Sequence, residues 1–131
     1  MTNIELMEYW IKSSDEDYDS MKNIYEAKQY SWALFIGHLV IEKLIKGIYA
    51  KQNVEKPHAP RTHNLLDLAN KCNLELEQRQ NDLLSLFTRF NMEARYEDGK
   101  KSFYEKCTEE YTEQQIKNIE EIRIWLKTQL M

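Results

Sequence analysis

The sequence predicts an all-α protein: a bundle of four long helices with one additional short helix. Two observations predict it. Among 131 residues there are 3 Gly and 2 Pro, so the residues that break helices are scarce. Apolar residues recur at helical spacing through four long stretches, and no stretch alternates as a half-buried strand would. The length suits one domain, 1–131, and allows a core without metal or disulfide support.

The first helix is expected over Ile4–Lys28. Thr2 and Glu5 have capping-box spacing, and Met7, Trp10, Ile11, Tyr18, Met21 and Tyr25 make one apolar stripe. The polar run Ser13–Asp19 reads as its solvated middle. A second helix is expected over Ser31–Asn53. Val54–His63 holds both prolines and reads as an irregular loop. A short helix follows over Asn64–Lys71, and another long one over Glu75–Glu93, with Leu83, Leu84, Phe87 and Phe90 on its core face. Asp98-Gly99 reads as a turn, and Lys100–Tyr111 as extended or loosely ordered chain. The last helix is expected over Glu113–Leu130, opened by Thr112 and Gln115 at capping-box spacing.

The net charge of −4 argues against a broadly basic nucleic-acid surface but leaves a local patch open. Cys72 and Cys107 have no metal-ligand spacing and read as reduced thiols of a cytoplasmic protein. The N-terminal MTNIELMEYW has neither the basic nor the apolar region of a signal peptide. No apolar run approaches the ~18 residues of a membrane span, so no membrane is expected. Gly37, Gly47 and Gly99 form no phosphate-cradling loop, and no cofactor is expected.

The second helix carries the most informative stretch, FIGHLVIEKLIKGIYA from Phe35 to Ala50. His38, Glu42 and Lys46 recur at intervals of four, so they share one side of the helix. Phe35, Leu39 and Tyr49 lie among them. Glu42 and Lys46 can form an ordinary i, i+4 pair, with His38 half-buried beside them. A solvated face rarely carries Phe, Leu and Tyr between its charges, however. The mixture reads as a surface that meets a ligand or another chain, a cleft or dimer seam rather than the bundle core. A metal site on His38 and Glu42 lacks a third ligand.

These residues carry a family resemblance. The run YSWALFIGHLVIEKLIKGIYA, with Tyr30, Ala33, Glu42-Lys43 and Lys46, resembles the second helix of the HEPN (higher eukaryotes and prokaryotes nucleotide-binding) domain family. THNLLDLA, Thr62 to Ala69, and ARYED, Ala94 to Asp98, are similar to two further family motifs in the same order, with Glu97 where the family usually has Pro. The resemblance implies an antiparallel four-helix up-and-down bundle. It also implies a homodimer whose cleft contains the polar motif residues. Many members are metal-independent RNases of toxin–antitoxin or defence systems; others accompany a minimal nucleotidyltransferase. The nuclease members carry His four to six residues after the motif Arg. Here Lys100, Lys101 and Ser102 occupy those places after Arg95, and no His follows His63.

The expected site therefore has Lys43, Lys46 and Arg95 binding nucleotide or RNA phosphate, with His38, Glu42, Tyr96 and Asp98 supporting the cleft. Arg95 suits phosphate because its planar guanidinium offers paired donors. Arg95 and Asp98 can equally form a local ion pair at a helix end. His63 is expected to cap or pack at the short helix, and His58 to be exposed. Tyr96 and Tyr104 suit either base stacking or ordinary surface packing. Three functional readings follow: a nucleotide- or RNA-phosphate-binding module, a metal-independent RNase using His38 or a lysine as base, and a protein-interaction module without a small ligand.

Overall fold

The computed structural model describes residues 1–131, apart from the side chains of Glu97 and Asp98. Its helices are α1 (Asn3–Glu26), α2 (Tyr30–Gln52), α3 (Leu65–Lys71), α4 (Gln78–Arg95), α5 (Glu97–Lys106) and α6 (Glu109–Gln129). The four long helices run alternately up and down. Ser14 of α1 meets Val40 of α2, while Asn3 reaches Lys51, so these helices are antiparallel. Asn91 of α4 meets His38 of α2. Arg79 at the opposite end of α4 binds Glu121 of α6. Asp15 of α1 holds Arg123 and Lys127 of α6, closing the ring.

The expected cap of α1 is present: Glu5 N–H donates to Thr2 Oγ1 at 3.0 Å, and Thr2 N–H donates to Glu5 Oε1 at 3.1 Å. The middle of α1 is solvated only in part: Glu16 and Asp19 are exposed, and the rest of the run packs. Ser14 is fully buried and its hydroxyl donates to the Val40 carbonyl at 2.7 Å. Asp15 and Asp17 point to neighbouring helices, so one side of this polar run is a packing surface.

α2 is the central helix and touches α1, α3, α4, α5 and α6. This explains its nearly continuous apolar sequence, because a helix surrounded by others needs no solvent face. Gly37 allows the approach of α6: a Cβ there would collide with Ile119 Cδ1 and lie 3.2 Å from Met21 Sδ.

Two boundaries differ from the sequence reading. Asp98-Gly99 lies inside α5, and Lys100–Lys106 is helical rather than extended. Phe103 anchors this helix: it is 2% exposed and its ring packs on Phe90 at 5.7 Å. Gly99 lies within the helix and does not take a positive φ. The final helix begins earlier, at Glu109, with Thr108 rather than Thr112 as its cap; Thr108 Oγ1 accepts from Tyr111 N–H. Thr112 is fully buried inside the helix. Thus there are two short helices, not one.

No helix among the described residues is long and apolar enough to cross a membrane.

Candidate functional site

The ionisable line of α2 is covered by the chain itself. The loop between α2 and α3 folds back over it through His63, and Gln52 Nε2, donating to the Cys72 carbonyl at 2.9 Å, joins the C-terminal ends of the two helices. Asn64, not His63, caps α3, accepting from Asp67 N–H. This frees the His63 ring to turn toward α2. Its Nδ1 lies 2.8 Å from Glu42 Oε1. The other carboxylate oxygen of Glu42 accepts from Lys46 Nζ at 3.1 Å. One turn earlier, His38 Nε2 donates to the His63 carbonyl at 2.9 Å.

These contacts form a continuous polar chain. His38 and Glu42 are buried, at 0% and 4% exposure. Burying a carboxylate requires partners, and Lys46 and His63 supply them. Burial also pushes the His38 pKa below its ordinary value. The His63 carbonyl and Glu42 oppose that shift, while His63 and Arg95 reinforce it. A neutral His38 with its proton on Nε2 suits the geometry. The Asn91 amide faces its Nδ1 at 3.4 Å.

The expected site residues therefore divide. Glu42, Lys46 and His38 belong to one network, and the charge of Arg95 acts on His38. Glu42 and His38 face the chain's own loop at His63. Lys43 is directed elsewhere: its Nζ lies 2.6 Å from Asp17 and donates to Ser13 Oγ at 2.7 Å, in the α1–α2 seam. Arg95 and Tyr96 are exposed at the junction of α4 and α5, with the guanidinium 5.9 Å from the Tyr96 ring centre. Asp98 lies outside the described side chains. His58 is exposed.

His63 is the candidate-site residue that sequence reasoning reads as a cap or packing residue of the short helix. The only signal was its place in the Thr62-His63 motif, twenty-one residues after Glu42. Together with Lys46, Arg61 and Thr62 it lines a recess of about 230 Å³. An amine, a guanidinium, a hydroxyl and an imidazole make a set of donors suited to phosphate. The Lys46 ammonium lies 5.1 Å from the Trp10 ring centre, which further fixes it. The His63 side chain is 52% exposed, so it reaches both Glu42 and solvent.

Other chemistries find less support. Burial pushes the Cys72 thiol up to about 12 and the Cys107 thiol up to about 11, far from a reactive thiolate. No cluster of three or more His, Cys, Asp or Glu side chains with metal-binding geometry occurs among the described residues.

No curated protein and no solved structure gives a significant match to this chain. The HEPN domain model matches residues 7–129. That match spans nearly the whole bundle, including α2, the covering loop and the Arg95 junction, and the chain belongs to the HEPN domain family.

Proposed function

We propose that this protein is a nucleotide- or RNA-phosphate-binding module whose phosphate site is the recess beside Lys46. The carrying observation is the convergence of Lys46, Arg61, Thr62 and His63 around it. Glu42 holds Lys46 and His63 in place from beneath. Arg95 offers a further phosphate contact at the other end of the polar chain, with Tyr96 beside it. Lys43 supports the fold through Asp17 and is not assigned to the ligand. The family resemblance adds a homodimer and a minimal nucleotidyltransferase partner in a toxin–antitoxin or defence setting to this reading.

Binding of labelled RNA and nucleotides by the protein and by Arg61→Ala tests the proposal. Arg61 is exposed, so its truncation should leave the fold intact while weakening binding. Equal affinity for both proteins would overturn it. A solution mass of twice the 15.8 kDa chain would support the dimer; a monomer would contradict it.

A second reading, metal-independent RNA cleavage, has one specific observation behind it. His63 Nδ1 is oriented by a buried carboxylate while its ring remains half exposed. This is the arrangement that prepares the other imidazole nitrogen to accept a proton. His38 does not suit that role, because it is fully buried. Metal-free RNA cleavage lost in His63→Ala would support this reading, and absence of cleavage would exclude it.

A further inference from the structure

A second surface combines cations with exposed rings. A groove of about 350 Å³ lies between the start of α2 and α5, where Trp32, Lys100, Lys101 and Tyr104 surround Phe103. Its volume falls within the about 300–1,000 Å³ common for small-ligand sites. Phe103 is the fixed floor, buried against Phe90. Trp32 and Tyr104 are 44% and 71% exposed. Phe35 holds Trp32 edge-on, with ring centres 5.6 Å apart. Among the described residues, the groove lining contains two lysines and no carboxylate. That charge complements a polyanion despite the chain's overall charge of −4.

We propose that this groove is a base-stacking subsite for single-stranded nucleic acid. Trp32 and Tyr104 take a base, and Lys100 and Lys101 take the adjoining phosphates. Aromatic platforms beside cations are the usual means of binding a single strand without reading its sequence. The groove also has a definite relation to the recess. Trp32 and Lys46 are separated by 14 positions on α2, or about 21 Å along the helix, and lie within about 40° of one side. A mononucleotide fills one of these places; a strand several nucleotides long reaches both. The stacking subsite stands on its own residues and does not require the recess to bind phosphate.

The test is titration of the full-length protein with an RNA octamer of uridine, its DNA counterpart and uridine monophosphate. Tryptophan fluorescence and anisotropy are the readouts. Either octamer should quench tryptophan fluorescence and bind more tightly than the monophosphate, with the RNA–DNA difference reporting any 2′-hydroxyl contact. Trp32→Ala should weaken octamer binding at least about fivefold. Lys100→Ala/Lys101→Ala should weaken it and reduce its salt dependence. All three positions are exposed, so circular dichroism should show an unchanged fold. Full affinity in both groove variants with loss in Arg61→Ala would overturn the groove and leave the recess reading standing. Loss in the groove variants with full affinity in Arg61→Ala would do the reverse. Absence of octamer binding, or equal binding of the monophosphate, would overturn the single-strand subsite.

Discussion

His63 Nδ1 and Glu42 Oε1 are 2.8 Å apart, and this contact joins the covering loop to the central helix. It converts a carboxylate that would be costly to bury into an anchor for the basic recess. Glu42→Ala should therefore release His63 and leave Lys46 without its partner. Because Lys46 and His63 both reach solvent, the expected loss is moderate, about 1–3 kcal/mol. Chemical denaturation measures that loss. Amide exchange should accelerate in the loop before α3 while the core of α6 remains protected.

His38 gives the protein a defined response to acid. Burial keeps its folded pKa below the ordinary value of 6.5. The unfolded chain therefore takes up a proton first as pH falls. The stability that follows from a neutral His38 is complete above about pH 6.5 and declines below it, toward the folded pKa. Denaturation midpoints between pH 7.5 and 5 should fall. His38→Gln should flatten that decline while lowering stability at neutral pH.

Gly37 sets the spacing of α2 and α6. Gly37→Ala improves helix propensity but drives a methyl group into Ile119 and Met21. Both are fully buried, so relief requires repacking. The clash should prevail, with a net loss of about 1–3 kcal/mol by thermal or chemical denaturation.

Lys43 and Lys46 should behave differently although three residues separate them. Lys43 is paired with Asp17 across the α1–α2 seam. Lys43→Ala should cost about 0.2–1 kcal/mol, in the range of partly exposed ion pairs, and leave RNA affinity unchanged. Lys46→Ala should weaken RNA binding. Parallel denaturation and anisotropy measurements separate these outcomes.

The bundle was readable because its long helices carry strong apolar periodicity and few breaks. The Thr2–Glu5 cap was readable because the whole device is local. α5 was not, because its helix depends on Phe103 reaching Phe90, a partner on the preceding helix. The polar residues Ser14, Asp15 and Asp17 read as solvated for the same reason: their partners lie on α2 and α6. Spacing alone placed His38, Glu42 and Lys46 in line. It could not show that His63 and Asn91 would cover that line from loop and helix. The family motif pointed to Arg95 but not to Arg61, whose place beside Lys46 depends on how the loop folds back.

Amide shifts of isotope-labelled protein during titration with inorganic phosphate test the central claim most directly. The account predicts saturable shifts clustered at Arg61, Thr62, His63 and Lys46, weakened by salt and lost in Arg61→Ala. Shifts confined to other surfaces, or none at these positions at saturating phosphate, would contradict it.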